Sequence, residues 1–275
     1  MECLQDSRML RFRPDTLEAV RKELNLDQPG RIAEAIDILE NWVQMQPHFI
    51  KKDFSRDYLE RTLVTAKGLV ERAKERLDKL CTFKTLMPEY FTITDVKKEF
   101  GPLNGIFEYF LRAEYCTGFH IVLDYSESNI LSFVTKVNPM ELRQIITLMT
   151  EGYGCRIKGI HVISSSKMVD TLITLLKQVF SVKLGDRIHL HKTAATLTEY
   201  IPREIMPADY GGDEKTLLEL NSKYLDWLDV ISSKEFVEYM KEMTKASTNE
   251  SCRLADKFSE HYIGMPGSFR ALSVD

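Results

Sequence analysis

Apolar residues recur at helical spacing through the first third of the chain. In the stretch RIAEAIDILENWVQMQ, one stripe contains Ile32, Ile36, Leu39 and Val43. A second apolar stripe runs through residues 55–80, with Glu, Lys and Arg on the opposite side. Because residues three and four positions apart share one face of an α-helix, both stripes predict core packing in a helical module at residues 1–90.

The pattern changes near Phe119. Short β-branched stretches, FHIVLDY, GIHVIS and RIHLH, alternate from there with the amphipathic stretches NPMELRQIITLM and SKMVDTLITLLKQVF. The first amphipathic stretch opens with Asn138 at the N-cap and Glu141 three residues later, which is typical of a helix start. Alternating strands and helices favour parallel pairing with right-handed crossovers. The predicted fold class is therefore α/β, with a mainly parallel sheet at residues 91–213, followed by helices and a tail at 214–275.

Composition and charge narrow the class of protein. The chain is 44% hydrophobic and 28% charged, as is usual for globular proteins. Its formal net charge of −4 gives no global attraction to nucleic acid, so an anion site has to come from a local cluster of cations. The five cysteines lack CxxC spacing, which predicts reduced thiols rather than a zinc site or a disulfide framework. With no apolar signal segment at the start and no run of about 18 apolar residues, we expect a cytoplasmic protein.

Several residues that could carry catalysis or metal binding also have simpler interpretations. His189 and His191 lie two apart on a predicted strand and point the same way, which suits either metal ligands or hydrogen-bonded structural histidines. The serines at 164–166 could include a nucleophile, although serines after a strand usually cap a helix. Asp124 ends the first strand, where α/β sheets bind ligands, or it forms a turn. No GxSxG, GxGxxG or P-loop motif is present, and we predict no enzymatic activity; hydrolysis at Ser165 with His161 ranks far below the binding functions.

Four cations near two of the predicted strands form a more specific pattern. Arg156 and Lys158 share one side of the extended segment before GIHVIS. Lys183 and Arg187 lie four residues apart, about one helical turn. Each is an ordinary solvated charge by itself, but together they could converge on one phosphate group, because several cationic donors around a phosphate reinforce each other. We call these four residues the basic cluster.

Three stretches together resemble the CRAL-TRIO lipid-binding and transfer family. They are GYGCRIKGIHVISSSKMVD, KLGDRIHLH and YIPREIMPADYGGD. The family's pattern runs basic-x-basic-Gly-Ile-His, then Arg-Ile-x-x-His, then Ile-Pro followed by Pro-x-x-Tyr-Gly-Gly. The stretches from QPHFIKKDF to AKERLD are similar to its N-terminal helical module, and GMPGSFRALSVD is similar to the tails of invertebrate-type members.

The resemblance implies a helical N-terminal module packed on an α/β domain whose sheet forms the floor of a hydrophobic pocket. The helix at 167–180 corresponds to the family's mobile gate. The ligand would be a small hydrophobic molecule held without a covalent bond, such as a retinoid, tocopherol, carotenoid, terpenoid or phospholipid, and no other cofactor is implied. The matching pocket-lining positions are Phe119, Leu123, Val137, Ile145, Leu148, Met149, Tyr153, Ile157, Ile160, Val169, Ile173, Leu176 and Phe180.

In the phosphoinositide-responsive branch of the family, cations hold a lipid headgroup at the gate. The positions that match are those of the basic cluster, with Arg61 as a fifth from the N-terminal module. The implied partners are the hydrophobic ligand and, transiently, a phosphoinositide-containing membrane surface that the protein meets peripherally; no nucleic acid is implied.

The sequence also departs from the family pattern. The segment 91–118 is shorter than its family counterpart, Glu127 replaces a glycine after the first central strand, and the serines at 164–166 replace Asn-x-Pro. The arginine-rich motif of the N-terminal module is LERTLV here, which keeps only Arg61. A second hypothesis therefore stays open, in which the protein is a phosphoinositide-binding membrane-docking module with a reduced or absent lipid cavity.

Overall fold

The structure is a computed structural model that describes residues 12–91, 108, 115 and 118–254. The chain groups into two compact units. The first contains Met1–Thr117, Leu148–Gly154 and Asp226–Asp275, and the second contains Gly118–Thr147 and Cys155–Leu225. The domain boundaries expected at residues 90 and 213 stay a prediction, and most of the shortened segment and of the C-terminal tail lies outside the described residues.

Helices and strands follow one another in the order expected for an α/β chain with a helical N-terminus. They are α1 (Thr16–Glu23), α2 (Arg31–Met45), α3 (Arg56–Thr65), α4 (Val70–Leu86), β1 (Phe119–Asp124), α5 (Ile130–Lys136), α6 (Pro139–Thr147), β2 (Ile157–Ile163), α7 (Val169–Val179), α8 (Val182–Gly185), β3 (Ile188–His191), α9 (Leu217–Ile231) and α10 (Lys234–Thr244). Short 3-10 helices span Pro88–Phe91, Ala194–Glu199, Arg203–Ile205, Ala208–Tyr210 and Glu250–Cys252, and a π-helical turn spans Leu148–Gly152. The α/β class predicted from the sequence is confirmed.

The apolar stripe at residues 55–80 forms two helices rather than one. Lys67 and Gly68 take positive φ angles of 62° and 72°, which end α3 and turn the chain into α4. A side chain at Gly68 would place its Cβ 2.8 Å from the carbonyl oxygen of Leu24, so the turn needs glycine there. Helical periodicity continues across this break, which explains why the sequence pattern does not reveal it.

A similar break divides the helical region predicted within residues 214–275. Helix α9 ends at Ile231, and the side chain of Ser233 accepts a hydrogen bond from the backbone N–H of Phe236 to cap α10. Serine is a favoured N-cap residue, so the Ser232–Ser233 pair marks the start of a second helix.

The sheet lies in the second unit and has the order β1-β2-β3, with both pairs parallel. One face packs against α5, α6 and α7 through a core that contains Ile160, Val162, Leu172 and Leu176. The opposite face carries histidines and packs, through Ile163, against Leu197, Ile201 and Met206 of the segment 194–206. We call this segment the cover segment. The three strands and the helices α6 and α7 agree with those predicted from the sequence, whereas the short helices α5 and α8 are additional.

The first unit contains a buried ion cluster close to its C-terminal end. Arg253 donates hydrogen bonds of 2.8 and 3.0 Å to the two carboxylate oxygens of Asp78 on α4, and another of 2.7 Å to Glu250. Asp78 also lies 3.1 Å from the ring of His48. The side chains of Arg253, Asp78 and His48 are all more than nine-tenths buried, so this part of the chain is held to α4 by paired charges.

Candidate functional site

Three members of the basic cluster gather at the amino end of the sheet. Arg156 immediately precedes β2, Arg187 immediately precedes β3, and parallel strands start at the same edge of a sheet. The backbone carbonyl of Arg156 accepts a 2.7 Å bond from Phe119 at the start of β1, and the guanidinium of Arg187 donates to the carbonyl of Ile157. Strand pairing therefore brings these two arginines and Lys158 to one edge of the sheet, and their convergence on one anion stays a prediction.

A β-bulge places Lys158. Phe119 pairs with Ile157, whereas the next residue, His120, pairs with Gly159, so Lys158 is the additional residue on β2. Its side chain is exposed and crosses Gly118, where a Cβ would lie 2.7 Å from the lysine Cε. Bulges commonly re-aim a side chain at a functional edge, and here the bulge directs a lysine away from the apolar core.

Lys183 lies on the short helix α8, which leads into β3. It is exposed, as is its neighbour Val182 at 83%, and Lys177 comes close to this turn, 3.6 Å from the Cβ position of Gly185. An exposed apolar residue between lysines is a suitable surface for an anionic lipid layer, because ammonium groups and an apolar side chain can be accommodated there together.

Arg61, the expected fifth cation, lies in the first unit. Its side chain is largely buried, and its guanidinium lies over the ring of Tyr115, 5.7 Å from the centroid. Its participation in headgroup binding stays a prediction.

A cation that the sequence analysis missed contacts the predicted gate. Arg143 on α6 donates to the carbonyl oxygens of Val179 and Gln178, at 3.4 and 3.2 Å. These carbonyls belong to the last turn of α7, where a positive charge is favourable because of the helix dipole. An arginine inside an amphipathic helix carries no motif, so the sequence alone gives no signal for this contact.

The predicted pocket-lining residues divide between the two units. Ile157, Ile160, Val169, Leu176 and Phe180 are buried members of the core between the sheet and its helices, with Leu123 and Ile173 packed against it. Phe119 starts β1 and Ile145 lies on α6, both half-buried. Leu148, Met149 and Tyr153 belong to the first unit, where the Tyr153 hydroxyl donates a 3.0 Å bond to Glu108. Their role as a ligand pocket stays a prediction.

An open groove of about 570 Å³ follows the carboxyl end of β1. Its lining is mainly apolar and is formed by Tyr125, Ser128, Asn129, Ser132, Phe133, Lys136 and Val137. Only Val137 was among the predicted lining residues. The groove lies at the edge where open α/β sheets commonly bind ligands.

Asp124 and the serines after β2 form turns. The carboxylate of Asp124 accepts hydrogen bonds from the backbone N–H and the hydroxyl of Ser126, at 2.8 and 2.6 Å, and from the Tyr210 hydroxyl at 3.0 Å. Burial raises the pKa of Asp124, but the two bonds from Ser126 and the bond from Tyr210 outweigh it, so the pKa is lowered; burial together with Asp124 raises the pKa of Tyr210 to about 12. Ser164 accepts a bond from the Ser166 N–H. These side chains therefore act in local structure.

The histidine pair at 189 and 191 belongs to a larger group on the sheet. His191 bonds to His161 at 3.0 Å, and His189 stacks on His161 with ring centroids 5.2 Å apart. Among the described residues, no group of three or more His, Cys, Asp or Glu side chains is placed to hold a metal ion. Likewise, no helix in the described ranges combines the length and hydrophobicity needed to cross a membrane.

Comparison with known proteins places this α/β domain in a family. The profile of the CRAL/TRIO domain matches residues 69–212, more than half of the 275 residues, and the chain belongs to the CRAL/TRIO domain family. The resemblance identified from sequence motifs is thereby confirmed.

Individual relatives show lower similarity. Alpha-tocopherol transfer protein-like of Mus musculus is 26% identical over 122 residues, and those of Homo sapiens and Pongo abelii are 27% identical over the same length. Each match covers 44% of this chain and 34% of the relative, so the chain spans about a third of the length of these curated relatives. The crystal structure of Sfh5 aligns with 82% of this chain and 100% of its own, at 12% identity and a TM-score of 0.35.

Proposed function

We propose that the protein binds a small hydrophobic ligand without a covalent bond and transfers it to membranes that contain phosphoinositides. Membership of the CRAL/TRIO family and the similarity to alpha-tocopherol transfer protein-like chains support the ligand class. The observation that carries the membrane step is the meeting of Arg156, Lys158 and Arg187 at one edge of the sheet, with Lys183 one turn before Arg187. No bond of the ligand is made or broken, so the protein is a carrier and not an enzyme.

The energetics require a ligand that is stable inside and a trigger that releases it. Removing apolar ligand surface from water stabilises the complex by about 25 cal/mol per Å². Release needs a second molecule with higher affinity for the open state, because a ligand that binds both states equally shifts nothing. A phosphorylated headgroup at the basic cluster meets this requirement, since it would be bound by several cationic donors at the gate.

Ligand binding is tested by purifying the protein from its own source and recording native mass spectra. The expected result is a complex heavier than the protein by the mass of one apolar molecule, which is then identified by extraction. A protein that carries no lipid from cells, and extracts none from neutral liposomes, would contradict the carrier function.

Membrane delivery is tested by liposome flotation with and without phosphatidylinositol bisphosphate. The variant Arg156→Glu with Lys183→Glu should bind the phosphoinositide vesicles at least about thirtyfold more weakly, because each basic residue near an anionic surface contributes about 1 kcal/mol. The matched control is Lys192→Glu with Lys215→Glu, which changes the net charge equally at exposed lysines outside the cluster. Equal losses in both double variants would show that net charge, and not the basic cluster, controls docking.

A membrane-docking module without a cargo is the second candidate. It is favoured by the packing of α7, whose Val169, Leu172 and Leu176 are at most 5% exposed and lie in one core with Ile160 and Val162 of β2. A docking module would float with phosphoinositide vesicles yet yield no ligand in the mass spectrum. The two experiments together therefore distinguish the two functions.

A further inference from the structure

Three histidines, one from each strand, form a continuous hydrogen-bonded row across one face of the sheet. His120 Nδ1 lies 3.0 Å from His161 Nε2, and His161 Nδ1 lies 3.0 Å from His191 Nε2. His191 Nδ1 lies 2.6 Å from the hydroxyl oxygen of Thr196 in the cover segment. We call His120, His161 and His191 the histidine row.

The backbone makes room for this row at one glycine. A Cβ at Gly159 would lie 2.6 Å from His161 Nε2 and 3.0 Å from His120 Nδ1. Both atoms belong to the first hydrogen bond of the row, so that bond passes directly over the glycine. A side chain at position 159 would occupy the place of the bond.

The row is enclosed at its centre and accessible at one end. His161 is 0% exposed and His191 3%, whereas His120 is half-buried. The ring of Tyr200 lies against His161, His189 and His191, with centroids 5.2, 4.3 and 5.7 Å away. The row therefore ends under the cover segment on one side and near solvent on the other.

Charged and titratable neighbours face the row from each packed element. Lys158 of β2 disfavours a proton on His120, and His189 of β3 disfavours a proton on any of the three rings. Glu199 of the cover segment favours a proton on His191. Burial is the largest cause that lowers the pKa of each ring, and burial together with the neighbouring histidines brings the pKa of His161 to about 4. Of these neighbours, Glu199 alone favours the protonated form, so the described surroundings hold the row neutral at physiological pH.

Hydrogen-bond geometry limits how many protons the row can hold. Three neutral imidazoles carry three N–H groups on six ring nitrogens. Each of the two ring–ring contacts needs one proton, and two outer nitrogens remain, His191 Nδ1 and His120 Nε2. The Thr196 hydroxyl donates to the carbonyl of Thr193, so its oxygen can accept from His191. All contacts thus stay intact with at most four N–H groups, one more than the neutral row carries.

A second added proton has no place in this arrangement. With five N–H groups on six nitrogens, at least one contact inside the row brings two N–H groups face to face. Such a contact loses a hydrogen bond and places like charges together in a buried site, where both effects are costly.

We propose that the histidine row is a proton-binding site that accepts one proton without structural change, and that a second proton breaks the row at His161 and loosens the cover segment that packs on it. The first proton resides on His120, whose outer nitrogen is the one that can reach solvent. The second separates His161 from His120 or from His191, and Tyr200 of the cover segment then loses its fixed contact with the His161 ring. This inference does not depend on lipid binding.

The test combines imidazole nitrogen NMR with hydrogen exchange between pH 8 and pH 4. At pH 8 each row histidine should be neutral, and His120 should become doubly protonated first while residues 194–206 keep their protection. When a second row histidine gains a proton, protection of these residues should fall at least tenfold after correction for intrinsic exchange rates. Two protonated row histidines beneath a fully protected cover segment would overturn the proposal, as would loss of protection when His120 alone has titrated.

Variants distinguish an effect of the histidine row from a general loss of stability at low pH. His191→Gln keeps a donor for Thr196 but does not titrate, so loss of protection at 194–206 should move to lower pH. His48→Gln, which changes a buried histidine of the first unit, should leave the pH profile of residues 194–206 unchanged. If His191→Gln fails to fold, Thr196→Val removes only the attachment and should lower protection already at pH 8. An unchanged pH profile in both row variants would also overturn the proposal.

Discussion

Replacing Gly159 by alanine should destabilise the second unit, although alanine normally improves a strand position held by glycine. Glycine in a strand costs backbone entropy, and the usual gain on replacing it is about 0.5–1 kcal/mol. At this position the added Cβ would lie 2.6 Å from His161 Nε2, a separation that a carbon and a nitrogen cannot adopt. One of the two groups therefore has to move.

The magnitude follows from what can move. His161 is 0% exposed and is bonded on both sides, so displacing its ring breaks at least one hydrogen bond and leaves a buried nitrogen without a partner. That loss costs about 1–3 kcal/mol, and fitting an additional carbon into a packed site costs about another 1–3 kcal/mol. Set against the entropic gain, Gly159→Ala should lower the stability of the unit by about 1–5 kcal/mol.

Native-state hydrogen exchange at the amides of β2 measures this loss locally, without assuming that both units unfold together. The matched control is Gly185→Ala, where the nearest atom to the new Cβ is Lys177 Cγ at an ordinary 3.6 Å. The control should be neutral or slightly stabilising. In a double-mutant cycle with His161→Ala, the cost of Gly159→Ala should shrink by at least about 1 kcal/mol, because the clashing ring is gone. If Gly159→Ala matches the wild type within about 0.5 kcal/mol, the steric reasoning is wrong.

Three further predictions concern charges. The contribution of neutral, buried His161 to the free energy of unfolding should be complete above pH 6.5, the ordinary pKa of histidine. It should decline as the pH falls from 6.5 to about 4, the pKa of folded His161. The unfolded chain takes up the proton first in this window, so the loss from His161 is up to about 3 kcal/mol, and thermal unfolding of His161→Gln should show a correspondingly flatter profile. Asp78→Asn should cost about 3–5 kcal/mol by leaving the buried Arg253 poorly paired, whereas Asp37→Asn at the exposed pair with Arg56 should cost less than about 1 kcal/mol in the same denaturation assay. Arg143→Ala should raise exchange at the last turn of α7 about two- to fivefold, the value of a charge at a helix C-terminus, and an unchanged rate would show that its contacts with the carbonyls contribute nothing.

The sequence predicts the helices and strands well, because each is specified by local periodicity. The three strands and the helices α6 and α7 follow from runs of apolar residues, and the turn at Lys67–Gly68 is missed because the apolar period continues across it. Motif spacing also identifies Arg156, Lys158 and Arg187 as neighbours, since strand pairing brings together residues that precede successive parallel strands. The contact of Arg143 with α7 is different, because it depends on how two helices cross and leaves no pattern along the chain.

The histidine row shows a further limit of reading the sequence. His189 and His191 are noticeable because they lie two apart on one strand, yet the hydrogen-bond partner of His191 is His161 on the neighbouring strand. The register between β2 and β3 decides this pairing, and register is a property of the assembled sheet. Pairing of histidines could be expected from the sequence, whereas the partners could not.

The bulge at Lys158 connects the two features that give this domain its chemistry. Side chains alternate strictly between the two faces of a regular strand. Without an additional residue on β2, this alternation alone would have to place residues at the basic edge, on the histidine face and in the apolar core. The bulge lets Ile157 point into the core, Lys158 point outward, and Gly159 lie under the bond between His120 and His161. Each position of the order basic-Gly-Ile-His therefore has a physical reason. The bulge turns the cation away from the regular alternation of side chains, and the glycine leaves room for a hydrogen bond. The isoleucine packs in the core, and the histidine joins the histidine row. Because these requirements belong to consecutive residues of one strand, a change in the register of β2 would alter the basic edge and the histidine face together.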